Sequence, residues 1–60
     1  MTIGDRIRSA REEKGWTQQQ LADKMGYKSN MSIWQYENDK YKPNSRTLMA
    51  FERVLGNLVK

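Results

Sequence analysis

Trp16 to Glu37 reads WTQQQLADKMGYKSNMSIWQYE, and the fold is decided by what these residues can do locally. Thr17 carries a hydroxyl able to accept the free N–H groups of a helix start, and Gln20, three residues later, completes a capping box. A helix is therefore predicted over Gln18–Met25. Leu21, Ala22 and Met25 recur at helical spacing and give it one apolar stripe. Gly26 follows, a residue that can turn the backbone through positive φ without a β-carbon penalty. A second helix is predicted from Ser29 or Asn30 to Asn38. Its apolar face is Ile33 and Tyr36, with Ser32 at the margin, whereas Asn30, Met31, Trp34 and Gln35 fall toward the opposite side.

Two short helices joined by a tight turn, the second carrying amides on its outer face, describe a helix-turn-helix that lays its second helix in the DNA major groove. Upstream, Ile3, Ile7 and Ala10 repeat at three and four, so Thr2 to Lys14 reads as an amphipathic helix ended by Gly15. Trp16 is expected as a core plug just before the Thr17 cap. Downstream, DKYKPNS (39–45) is polar, holds the only proline and reads as a loop. Asn44 or Ser45 can cap a last helix that runs to Gly56, with Leu48, Phe51, Val54 and Leu55 as its buried stripe. Leu58 and Val59 are expected to cover the core. The prediction is an all-α, four-helix domain spanning residues 1–60, with no internal boundary.

Sixty residues allow one core of modest stability. The chain has neither cysteine nor histidine, so thiolate and imidazole chemistry is excluded, and no catalytic constellation, metal site or cofactor is expected. Glu12 and Glu13 are adjacent and diverge on a helix, and there is no Gly-rich phosphate loop. The start is charged from Asp5 onward, and no run approaches the roughly 20 apolar residues of a membrane span, so a soluble, cytoplasmic protein is expected. A formal charge of +4 favours an anionic partner. Its distribution is more telling, because Lys40, Lys42 and Arg46 lie in an acid-free segment directly after the second helix of the pair.

Here the chain resembles the Xre/Cro-repressor helix-turn-helix family of phage and bacterial DNA-binding domains. The similarity covers nearly all of it, from IGDRIRSAREEKGWTQQQLADKMG to IWQYENDKYKPNSRTLMAFERVLG. An Arg-x-x-x-Gly-x-Thr-Gln-x-x-Leu-Ala arrangement falls at Arg11, Gly15, Thr17, Gln18, Leu21 and Ala22. The family's acidic end to the recognition helix, basic loop and proline match Glu37, Lys40 and Pro43. The resemblance implies a lambda-repressor-like domain of usually five helices, and this chain stops where the fifth would begin. It also departs from the family by one extra residue within Tyr27, Lys28 and Ser29. Counting back from Glu37, the family's base-reading positions fall on Asn30, Met31, Ser32 and Gln35, with Gln18 at the start of the preceding helix. An extra residue inside the helix would shift Asn30 and Met31 by one. Arg11 and Glu37 correspond to a family pair that bridges the first helix to the end of the third.

The chemistry of these side chains fits such places. Gln35 and Asn30 each offer a donor and an acceptor, as adenine does along its N7 and N6 edge, and Met31 suits a thymine methyl. Gln18 can brace a reading residue or reach a base, while its backbone N–H points at a phosphate. Lys40, Tyr41, Lys42 and Arg46 are candidate phosphate contacts, together with Thr17, Lys28 and Ser29, and backbone N–H groups near Ser45 to Thr47 can face the same strand. Trp34 can stack on the sugar-phosphate backbone or bury against Tyr27.

The expected partner is double-stranded DNA with a pseudo-palindromic operator, bound by a homodimer that is weak or absent in free solution. Only Leu55, Leu58 and Val59 remain near the end to form its apolar contact. Two other readings stand beside transcriptional repression. One is a protein-interaction module using Trp34, Met31, Tyr27 and Tyr41 as an aromatic patch; the other is a DNA-bending accessory factor in recombination.

Overall fold

Three of the four helices begin where a side chain closes the first turn. In the computed structural model, which describes residues 2–56 and 58, the elements are α1 (Ile3–Glu13), α2 (Gln18–Met25), α3 (Met31–Glu37) and α4 (Ser45–Leu55). Thr2 Oγ1 accepts the Asp5 N–H at 3.1 Å, and the Asp5 carboxylate takes the Thr2 N–H at 3.4 Å. Thr17 and Gln20 make the same reciprocal pair at 3.1 and 2.8 Å. Asn44, rather than Ser45, caps α4, its Oδ1 accepting the Thr47 N–H at 2.8 Å. Each such cap is worth about 1 kcal/mol, a large contribution in a domain of this size.

The third helix is shorter than the predicted span 29–38, and its ends show why. Ser29 Oγ accepts the Met31 N–H at 3.1 Å, while Asn30 contributes its carbonyl to the Trp34 N–H at 3.0 Å and makes no side-chain cap bond. Asn30 is thus the cap and Met31 the first helical residue. Asn38 closes the other end and sends its side-chain amide back to the Trp34 carbonyl at 2.8 Å.

Ile7, Leu21, Ala22, Ile33 and Phe51 are fully buried, and Leu55 and Leu58 nearly so, so every helix contributes to one core. Burying each large aliphatic or aromatic side chain is worth about 1.5–3 kcal/mol. Tyr36 lies edge-on to Phe51, with ring centroids 5.4 Å apart and planes at 79°. Trp16 is half-buried against the core, and the Lys14 and Lys24 ammonium groups lie 5.5 and 4.6 Å from its ring centroid. It is a plug with a cationic rim.

Gly4, which the sequence pattern did not single out, fixes how closely α1 approaches α3. A β-carbon there would lie 2.6 Å from the Tyr36 carbonyl oxygen and 2.7 Å from that of Glu37. The same contact is tied by Thr2 Oγ1, which donates to Asp39 Oδ2 at 2.9 Å. Asp39 has a φ of 60°, a left-handed conformation that aspartate tolerates better than most residues. At the other end of the chain, Arg6 Nη1 donates to the Leu58 carbonyl at 2.9 Å, and the Leu58 N–H donates to Glu52 Oε2 at 3.3 Å. Leu58 therefore covers the core as expected, whereas Val59 lies outside the described residues. Leu55 and Leu58 are committed to the chain's own interior, which removes them as the expected contact between two copies. Among the described residues, no helix is long and apolar enough to cross a membrane.

Candidate nucleic-acid interface

Gly26 ends α2 in the left-handed conformation, with a φ of 81°, and the Tyr27 N–H returns to the Ala22 carbonyl at 2.9 Å. These bonds aim the chain back across α2, so that α3 packs on both α1 and α2. Tyr27 packs against the core, and burial, reinforced by the neighbouring Tyr36, raises its phenol above the usual tyrosine range.

At the C-terminal end of α3 the Glu37 side chain is wholly buried. Arg11 meets it in a fork, Nε donating to Oε2 at 2.6 Å and Nη2 to Oε1 at 3.2 Å, while Nη1 donates to the Trp16 carbonyl at 2.7 Å. The bond to Glu37 raises the Arg11 pKa and outweighs the opposing effect of burial. Two partners absent from the sequence reading join them: Gln18 Nε2 donates to Glu37 Oε1 at 3.2 Å, and Arg8 Nε stands 3.5 Å from the same oxygen. A signal for both was available. Arg8 sits three residues before Arg11 on one helix face, and Gln18 starts the helix that must cross the end of α3.

At the opposite end the side chains are open. Gln18, Asn30, Met31 and Trp34 line a surface concavity of about 220 Å³, with Met31 54% and Trp34 42% exposed. Trp34 is outside the core cluster, so it does not take the buried place beside Tyr27. Ser32 and Gln35 are half-buried and do not line this concavity. One amide hydrogen of Gln18 is held by Glu37, and its carbonyl oxygen keeps its capacity to accept.

The basic loop folds back on the same helix. The Gln35 carbonyl accepts the N–H groups of Lys40 at 2.9 Å and Tyr41 at 3.4 Å, placing the exposed Lys40, Tyr41 and Lys42 beside the end of α3. Lys28, Ser29 and Arg46 are also exposed. Among the described residues the ion pairs are those of Glu37 with Arg8 and Arg11, so these other cations carry no acidic partner there. The Thr47 N–H is taken by Asn44 Oδ1 at 2.8 Å, so within the stretch Ser45 to Thr47 that group is already engaged.

The family model described as Helix-turn-helix matches residues 7–58. The chain is 41% identical over 56 residues to the immunity repressor protein of Bacillus phage phi105, covering 93% of this chain and 38% of that one. It is 43% identical over 56 residues to Multiprotein-bridging factor 1 of Debaryomyces hansenii, covering 93% and 37%. It is 34% identical over 54 residues to the SPbeta prophage-derived uncharacterized HTH-type transcriptional regulator YonR of Bacillus subtilis, covering 90% and 49%. The chain thus spans less than half the length of each of these relatives. No solved structure matches. With a family match that covers most of the chain and both halves of the motif, the protein belongs to the helix-turn-helix family, of the Xre/Cro repressor type.

Proposed function

We propose that residues 1–60 form one binding unit that recognises specific sequences in double-stranded DNA, as part of a small transcriptional repressor. The observation that carries this is the polarity of α3. Its Glu37 end is locked into the fold by Arg11, Arg8 and Gln18, its opposite end leaves Asn30, Met31 and Trp34 open, and exposed lysines with no acidic partner among the described residues flank the helix. A rigid helix with one free polar and apolar edge, flanked by lysines, suits insertion in a major groove between two phosphate strands. The names of the phage immunity repressor and of the prophage transcriptional regulator support the same reading.

Within it, Asn30, Ser32 and Gln35 present hydrogen-bonding groups to base edges and Met31 an apolar contact to a thymine methyl. Gln18 both braces Glu37 and offers its carbonyl oxygen. Thr17, through its hydroxyl hydrogen, and Lys28, Ser29, Lys40, Tyr41, Lys42 and Arg46 meet phosphates, with the Trp34 indole against the backbone. Two copies assemble on a two-fold operator, and their association in free solution is weak or absent, a reading that the enclosure of Leu55 and Leu58 supports.

Selection of bound fragments from a random duplex library tests this directly, and enrichment of one motif is expected. Gln35→Ala should then lower affinity for that motif by about 1–3 kcal/mol per half-site, while random duplex binding changes little. Failure to enrich any sequence would overturn the specific reading.

A further inference from the structure

The outer face of α4 carries, besides the proposed phosphate contact Arg46, residues that neither the core nor the DNA-reading edge explains. Arg46, Met49, Ala50 and Arg53 stand at i, i+3, i+4 and i+7 and line a shallow concavity of about 170 Å³. They form a stripe opposite Phe51 and Leu55, the buried residues of the same helix. Met49 is 58% exposed at its centre, and Arg46 and Arg53 are exposed at its ends, about 10 Å apart along the axis. Neither arginine has an acidic partner among the described residues. Glu52, the acid of α4, turns its carboxylate to the Leu58 N–H instead.

We propose that this stripe docks an acidic amphipathic helix of another protein. The centre of the face calls for an apolar side chain and its two ends for carboxylates, a combination that one helix supplies from neighbouring turns. The i, i+3, i+4, i+7 spacing also makes ridges into which the side chains of a second helix can pack. DNA fits this face poorly, because Met49 would be set against phosphates between the two cations. A second copy fits poorly as well: pairing two such stripes across a two-fold axis brings arginine against arginine. Two helical turns offer far less than the roughly 1,000 Å² of a stable interface, so the contact is a transient one. Met49, Ala50 and Arg53 carry it independently of the DNA-binding reading.

The test is a titration of the ¹⁵N-labelled chain with an end-capped helical peptide that has leucines at i, i+3, i+4 and i+7 and glutamates on both flanks. Saturable amide shifts concentrated on residues 46–53 are expected. Arg53→Glu and Met49→Ser should each weaken binding at least about tenfold, with melting temperatures near that of the parent because both side chains are exposed. Three results would overturn the proposal: no saturable shifts on α4; shifts centred on residues 28–35 and 40–42, the signature of a polyanion on the DNA edge; or equal binding of the peptide with lysines in place of its glutamates. A fourth is an Arg53→Glu chain that loses random-duplex affinity as strongly as Lys42→Ala, which would assign the stripe to nucleic acid.

Discussion

The two ends of α3 lie within two helical turns and are opposite in character. Around Glu37 each carboxylate oxygen is met by donors from α1 or α2, and the side chain is sealed from water. Around Met31 two large apolar side chains stand in solvent beside an asparagine whose side chain makes no cap bond. The difference separates what the fold requires of this helix from what it leaves available. A short helix has little stability of its own, so one end must be held firmly for the other to present a fixed surface.

Breaking the held end should have the largest effect. Arg11→Ala removes the forked partner of a buried carboxylate and also leaves the Trp16 carbonyl without its donor. A loss of about 3–5 kcal/mol is expected, most of what a chain this short holds. Thermal melting would read it, and DNA binding should fall in parallel. An unchanged melting temperature would mean that Arg8 and Gln18 suffice to neutralise Glu37.

The contact of α1 with the same end is tested by Gly4→Ala. The added methyl would meet two backbone carbonyl oxygens that cannot rotate away, so α1 must shift outward. Overpacking of this kind costs about 1–3 kcal/mol, partly offset by the roughly 1 kcal/mol by which alanine favours a helix over glycine. A net drop in stability is expected from denaturant unfolding. A more stable variant would show that the α1–α3 spacing is set elsewhere.

At the exposed cations that follow α3, smaller effects are expected, and on binding alone. Lys42→Ala and Arg46→Ala should leave melting unchanged and weaken specific and random duplex by similar factors. Each should reduce the slope of log affinity against log salt by about 0.9 if one phosphate contact is lost. A slope unaltered in both variants would take the basic loop away from the DNA.

The same contrast explains what could be read from the sequence. Caps and apolar periodicity are local, so Thr17 with Gln20, Gly26 and the stripes of α2 and α4 located the helices to within a residue or two. The ends of α3 were harder, because Ser29 and Asn30 are both good cap residues and only the turn geometry decides between them. Gly4 was invisible because its role lies in carbonyl oxygens of a helix more than thirty positions away. The Arg11–Glu37 pairing rested on the family resemblance, and the sharing of Glu37 with Arg8 and Gln18 depended on how α1 and α2 cross α3. The open edge was legible as a set of residue types. That Gln18 has one amide hydrogen already engaged, and that Leu58 folds inward, emerged only from the packing.

The weakest expected effect lies at high pH and separates the two sides of the motif once more. Burial raises the Tyr27 phenol above its ordinary value, so the folded chain holds that proton more tightly than the unfolded chain does. Its contribution to stability is therefore complete below the unfolded value of about 10 and is lost as pH rises through the higher folded value. Arg11, also raised by its bond to Glu37, follows the same sign at a far more alkaline range, so it cannot produce a loss that begins near 10. Tyr27→Phe keeps the ring against the core and removes the titrating group. Its unfolding free energy should decline less steeply than that of the parent from about pH 10 upward, with both following similar profiles near neutrality. Parallel alkaline profiles would mean that the phenol ionises as readily in the folded chain as in the unfolded one, and that the turn between α2 and α3 is more open to water than its packing indicates.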